Sequence, residues 1–253
     1  ARVGYAAKAL LYITVGSLAS RAALGQGGRV TDTQGALRVV NGATFGRVLL
    51  LVVAAGLLGY AVWRLVEAAI DPERRGTGLK ALAVRAGFAA RGLVHGVLGI
   101  TAIRVALGHR AGTSGNQSRH WTARAFDLPA GELLVGLVAA AIAAYGVYQF
   151  YRAWAPKLGR NLQLSLLSDP MREWVVGVSR FGIAARGVVF CLIGVFLGRA
   201  ALRHDAGQAG GLRESLGTLA AVGQWPFAVV AFGLVAYGVY ELVNARYRRI
   251  RVE

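Results

Sequence analysis

The stretch RAGFAARGLVHGVLGITAIRVAL, Arg85 to Leu107, decides the fold because the chain writes it three times. Its opening, Arg85-Ala-Gly-Phe-Ala-Ala-Arg91, recurs as Arg2-Val-Gly-Tyr-Ala-Ala-Lys8 and as Arg180-Phe-Gly-Ile-Ala-Ala-Arg186. The match runs on through Gly16, Gly99 and Gly194 to Arg21, Arg104 and Arg199. Each copy is an apolar, glycine-dotted run of about twenty residues, the length that crosses a bilayer as a helix. In each copy a cation, Lys8, Arg91 or Arg186, lies six residues inside that run.

Composition agrees with a membrane protein. Hydrophobic residues make up 55% of the chain, charged residues only 16%, and mean hydropathy is +0.49. The 35 glycines suit close-packed membrane helices better than soluble ones, where an interior glycine costs roughly 1 kcal/mol. The formal net charge of +17 is not a nucleic-acid footprint, because the basic residues sit at helix ends with apolar runs between them. Anionic lipid headgroups are the expected counter-charge. The one cysteine, Cys191, falls inside a predicted span, so no disulfide framework or cysteine metal cluster is expected. Ala1 in place of a methionine points to a start within a longer chain.

Hydropathy places spans at about residues 3–24, 44–66, 85–107, 132–151, 181–202 and 225–243. Between the first two, Thr31 or Asp32 caps a short amphipathic helix running to Val40. The stretch between the third and fourth reads as a polar loop. Asp71-Pro72 and Asp169-Pro170 read as helix starts, a cap followed by a first-turn proline. The second span of each pair closes on an aromatic and polar set. Tyr60, Trp63, Arg64 and Glu67 align with Tyr145, Tyr148, Gln149 and Arg152, and with Tyr237, Tyr240, Glu241 and Asn244. The chain therefore divides into two-helix repeats at residues 1–70, 71–154 and 155–253, forming one membrane domain. Two helices per repeat return the chain to its starting side, so the repeats are parallel and predict a pseudo-threefold bundle. With the N-terminus inside, 18 of the 29 Lys and Arg residues lie on the cytoplasmic side and 11 opposite. The positive-inside rule thus predicts cytoplasmic N- and C-termini in a bacterial-type cytoplasmic membrane.

These residues carry a resemblance. The ArgXGlyXAlaAla(Arg/Lys) opening, Gln34-Gly35-Ala36-Leu37, Phe45-Gly46-Arg47 and the segment Tyr60 to Glu67 resemble the family called domain of unknown function 1206. The third repeat departs from it, with Trp225-Pro226-Phe227 where a Phe-Gly-Arg pattern stands in the first. The resemblance covers nearly the whole chain. It implies a six-helix membrane protein and no particular activity.

The deep cations Lys8, Arg91 and Arg186 are the candidate anion- or lipid-binding residues. Six residues of helix is about 9 Å of rise, and an unpaired charge near mid-bilayer costs at least ~2.5–3.5 kcal/mol. Either these side chains snorkel to the interface or they face the interior and meet a partner. Repetition in register favours the interior. The candidate partners are Tyr60, Tyr145 and Tyr237. Tyr145 lies seven residues inward of Arg152, about 10 Å, at a matching depth. A tyrosine face can hold a cation and its hydroxyl can bind the same anion; the alternative is an interfacial aromatic belt. Arg2, Arg85 and Arg180 read as cations at the cytoplasmic interface. His95 lies one turn beyond Arg91, where Tyr12 and Phe190 stand in the other copies, and reads as a packing residue with a hydrogen bond. Glu241, opposite in sign to Arg64 at the equivalent position, breaks the threefold charge pattern and is placed to reach Arg186. Gly92, Gly96 and Gly99 mark a close helix contact that leaves no room for a branched side chain.

No paired His-Glu metal motif, nucleophile elbow, phosphate loop or Cys-x-x-Cys is present in the sequence. The expectation is an all-α polytopic membrane protein without enzymatic activity, metal or cofactor. It would be an accessory or scaffold subunit that binds anionic lipid or other membrane proteins, and no nucleic acid. The alternative is a passive channel or carrier for a small anion, with the inner cations as its selectivity element.

Overall fold

The computed structural model describes residues 2–28, 30–71, 78–109, 114–155 and 168–247. Among these the chain is helical, with no strand. Six helices are long and apolar enough to cross a membrane. They are α1 (Arg2–Ala23), α3 (Gly46–Ile70), α4 (Leu79–Ala106), α6 (Gly131–Trp154), α7 (Asp169–Arg203) and α9 (Gln224–Tyr247). Three shorter helices alternate with them: α2 (Thr33–Asn41), α5 (Ser114–Phe126) and α8 (Leu212–Val222).

Local chemistry sets several ends. The Gly35 N–H donates to Asp32 Oδ1 at 2.7 Å, so the capping aspartate starts α2. Asp169-Pro170 opens α7, where the proline costs no intrahelical bond. With 35 residues, α7 is about 52 Å long, far beyond a hydrocarbon core of about 30 Å. Its first turns therefore project outside the apolar layer. Asp71 closes α3 in the left-handed region rather than opening the next helix, and α4 begins only at Leu79. Pro72, the partner in that expected start, and Lys157, Arg160 and the tail beyond Tyr247 lie outside the described residues.

The stretch expected as a polar loop between the third and fourth spans contains α5, a correction with a clear cause. Hydropathy sees no apolar run in SGNQSRHWTARAF. The helix packs instead through small and polar positions: Gly115 is buried against Glu214 of α8, and Thr122 is buried as well. A glycine contact carries no hydrophobic signal.

The chain forms two compact units, Ala1–Lys8 with Leu37–Ala111, and Ala9–Ala36 with Gly112–Glu253. These cut across the repeat boundaries because the close contacts pair the second span of one repeat with the first span of another. In the first unit, a Cβ at Gly99 of α4 would stand 2.8 Å from Leu58 Cγ of α3. In the second unit, a Cβ at Gly194 of α7 would stand 2.8 Å from Ala143 Cβ of α6. Also in the second unit, one at Gly16 of α1 would stand 2.6 Å from the Val235 amide nitrogen of α9. Gly16, Gly99 and Gly194 are equivalent in sequence. So are Leu58, Ala143 and Val235, each two residues before the repeated tyrosine. Three helix pairs thus share one register.

A second equivalent position shows how size is shared. Gly238 packs against Ile13, Gly146 against Cys191, and Gly96 against Ala61. One side of each pair is glycine, on the second span in two cases and on the first span in the other. This refines the reading of the Gly92, Gly96, Gly99 face. Gly92 and Gly99 are buried and tightly met by Leu65 and Leu58, while a Cβ at Gly96 would find Ala61 Cβ at an ordinary 3.7 Å. Gly96 therefore has room for one methyl, because its counterpart is already an alanine.

Candidate functional site: caged cations

Arg186 sits midway along α7, within the apolar run. Its Nη1 donates to the Tyr237 hydroxyl at 2.8 Å and its Nε donates to the Tyr12 hydroxyl at 3.1 Å. The guanidinium carbon lies 4.7 Å from the Tyr237 ring centre, 4.8 Å from Phe190 and 5.6 Å from Tyr12. The Tyr237 hydroxyl in turn donates to Glu241 Oε1, one turn further along α9. Tyr237 and Glu241 are both buried. Arg186 thus reaches Glu241 through a tyrosine hydroxyl that accepts from one and donates to the other. A desolvated cation–π contact is worth about 2 kcal/mol and a hydrogen bond to a charged group about 1.5–3 kcal/mol. Together these offset the ~2.5–3.5 kcal/mol insertion cost of an arginine at depth.

The same second unit holds a neighbouring group. Arg152, near the end of α6, donates from Nη1 to Gln149 Oε1 and from Nη2 to the Tyr240 hydroxyl, each at 3.2 Å. Tyr240 packs on Tyr237 with ring centres 5.7 Å apart. Tyr145 meets Phe190 edge-on at 5.1 Å. The repeated tyrosine of the second repeat therefore approaches the Arg186 cage through Phe190.

In the first unit, Lys8 Nζ lies 4.6 Å from the Tyr60 ring centre and 4.8 Å from Tyr5. Arg64 shares Tyr60. Its Nε donates to the hydroxyl at 2.9 Å and its Nη1 donates to Glu67 Oε2, while Trp63 Nε1 donates to Glu67 Oε1 at 2.9 Å. Arg64 is buried, although hydropathy read it as a span end. His95 Nδ1–H donates to the Arg91 carbonyl at 2.7 Å, and its ring packs on Tyr60 at 4.7 Å.

The three deep cations thus have unequal surroundings. Arg186 is half-buried with two tyrosine hydroxyls bonded to it, and Lys8 is half-buried between two tyrosine rings. Arg91 is exposed, with Phe88 6.0 Å from its guanidinium carbon. The interface cations differ too. Arg2 and Arg180 are exposed, whereas Arg85 donates from Nε to the Ala68 carbonyl at 2.7 Å and from Nη2 to Ala69 at 2.9 Å. It satisfies the open carbonyls at the end of α3 and suits that end's negative dipole. Sequence reasoning missed Tyr5, Arg64 and Arg152 as cluster members. The available signal was spacing: Tyr60–Arg64 and Tyr237–Glu241 are both four apart, one turn on a shared helix face. Among the described residues no three His, Cys, Asp or Glu side chains gather as a metal site would need.

Six apolar helices in repeated pairs, with charges caged by aromatic rings at helical depth, define a polytopic α-helical membrane protein. The chain belongs to the family described as Domain of Unknown Function (DUF1206), matched three times, at residues 3–71, 86–155 and 181–248. It is similar to the "Uncharacterized protein YxxB" of Bacillus subtilis (strain 168), 29% identical over 254 residues, covering 100% of this chain and 91% of that relative. No solved structure matches it.

Proposed function

We propose that this chain is a non-enzymatic membrane scaffold, an accessory subunit that holds anionic lipid or another membrane protein. One observation carries the reading: Arg186 is spent on internal partners, Tyr12, Tyr237 and, through Tyr237, Glu241. A cation neutralised in this way locks helices together and leaves little positive potential for a permeating anion. Exposed apolar side chains such as Leu93, Val97 and Ile100 on α4, and Leu133, Leu137 and Val147 on α6, supply the face for lipid or partner. The three same-register helix pairs support a pseudo-threefold arrangement of the repeats. The Lys and Arg distribution supports cytoplasmic termini in a bacterial-type cytoplasmic membrane.

The second reading, a passive channel or carrier for a small anion, is favoured by the exposure of Arg91 within its apolar helix. The scaffold reading is tested by mild extraction from native membranes, followed by sizing and mass spectrometry of the bound lipids and proteins. It expects a discrete particle larger than the single chain, or retained anionic lipid that the Lys8→Gln, Arg91→Gln, Arg186→Gln triple variant loses. A chain that migrates alone and free of lipid overturns it.

A further inference from the structure

The three repeats handle charge differently at one equivalent pair of positions. The first repeat places Arg64 with Glu67, a cation and a carboxylate in contact. The third places Glu241, which answers Arg186 through Tyr237. The second places Gln149 with Arg152, a cation and an amide. Among the described residues, the hydrogen bonds of Arg152 go only to neutral oxygens, Gln149 Oε1 and the Tyr240 hydroxyl. Both are 3.2 Å long, where charge-assisted bonds to an anion settle near ~2.7–2.9 Å.

The amide beside it has the opposite lack. Gln149 is 0% exposed, and its Nε2 has no hydrogen-bond partner among the described residues. A buried donor left without an acceptor costs about 1–3 kcal/mol, so the position is explained if an acceptor completes it. Flipping the amide does not help, because Nε2 would then face the guanidinium. A half-buried guanidinium without a carboxylate and a buried amide donor without an acceptor call for the same thing, an anionic oxygen. The depth identifies which kind. Arg152 lies two residues from the end of α6, among Tyr148, Tyr151 and Trp154, which are 50%, 69% and 81% exposed. Exposed tyrosine and tryptophan at a helix end mark the headgroup layer.

We propose that Arg152 and Gln149 form a site for a phosphoryl anion at the membrane interface, the headgroup of an anionic lipid or free phosphate. Arg152, the half-buried member, meets the anion first, and Gln149, wholly covered beneath it, donates from Nε2 once the anion has displaced its amide from the guanidinium and turned it outward. This rests on the lipid-binding side of the scaffold reading and names the residues and the ligand class.

The test compares purified wild type with Gln149→Glu and Arg152→Gln. Gln149→Glu gives the second repeat the carboxylate that the third repeat carries at Glu241, so it neutralises Arg152 internally and keeps the fold. Each protein is delipidated and titrated with inorganic phosphate, phosphatidylglycerol or phosphatidylcholine. Thermal midpoint and lipid retained in native mass spectrometry are then read. Wild type is expected to be stabilised by phosphatidylglycerol or phosphate and not by phosphatidylcholine. Both variants are expected to lose affinity about tenfold or more, one charge-assisted bond's worth, with Gln149→Glu as stable as wild type without added anion. A response to the lipid alone assigns the headgroup, and one to phosphate alone a soluble anion. If both variants retain wild-type binding, the site is wrong while lipid binding stands. If wild type responds to neither anion, the site is wrong and the scaffold reading rests on protein partners alone.

Discussion

Arg186 is held inside a membrane helix by neutral hydroxyls first and by a carboxylate at second remove. The Tyr237 hydroxyl is the joint, accepting from Arg186 and donating to Glu241. Tyr237→Phe keeps the ring and its cation–π face but removes that joint, and should cost about 1.5–3 kcal/mol. Arg186→Gln leaves Glu241 buried without its cation and should cost more, about 3–5 kcal/mol. Adding Glu241→Gln to Arg186→Gln should recover part of that loss, because the two residues belong to one network. Unfolding temperatures of wild type, Tyr237→Phe, Arg186→Gln, Glu241→Gln and the double variant in one detergent check this, and strictly additive losses for Arg186→Gln and Glu241→Gln would sink the relay. Much of this cluster was legible beforehand. Repetition marked Lys8 and Arg186 as deep, and helical rise set the tyrosines at matching depth. Repetition conveys position and not burial, so it gave no sign that Arg91 is exposed while Arg186 is half-buried and bonded to two hydroxyls. Nor did it show that Tyr12, from another repeat, supplies half the hydroxyls around Arg186.

Between helices, the sequence pattern of glycines named the right faces but not which glycine bears the contact. At Gly146 a Cβ would stand 2.6 Å from Cys191 Sγ and 2.8 Å from the Cys191 amide nitrogen, whereas at Gly96 the nearest atom is Ala61 Cβ at 3.7 Å. Gly146→Ala should therefore separate α6 from α7 and destabilise by about 1–3 kcal/mol, the usual cost of overpacking. Gly96→Ala should be neutral or stabilising, by up to about 1 kcal/mol, through better helix propensity. Thermal unfolding of the two single variants separates them, and equal effects would contradict the packing described. The alternation of glycine between partners, Gly238 with Ile13, Gly146 with Cys191 and Gly96 with Ala61, explains the limit of reading one helix alone. Whether a glycine is needed depends on the residue across the contact. Helix α5 was hidden for a related reason, since its buried side relies on Gly115 and Thr122 rather than an apolar stripe.

For the whole molecule, the six spans were legible because lipid admits few solutions: a helix must be long, apolar and internally hydrogen-bonded. The proposed orientation, with cytoplasmic termini, rests on the 18-to-11 division of Lys and Arg and is open to direct measurement. Gly217 on α8 and Gly78 before α4 are exposed, and a Cβ at either meets nothing within 4 Å. In a Cys191→Ala background, a cysteine at Gly217 should react with an impermeant thiol reagent from outside intact cells. A cysteine at Gly78 should react only after lysis. The reverse pattern would turn the molecule over and place the α6 end bearing Arg152 on the outer face.

In the proposed function the inner cations hold this protein together rather than pass anions, and reconstitution into liposomes separates the two roles. Purified wild type in liposomes should pass chloride and phosphate no faster than empty vesicles do. The Lys8→Gln, Arg91→Gln, Arg186→Gln variant should differ in stability, not in flux, with a lower unfolding temperature. Wild-type flux well above background, abolished by that triple substitution, would overturn the structural role of the cations and establish the channel reading in its place.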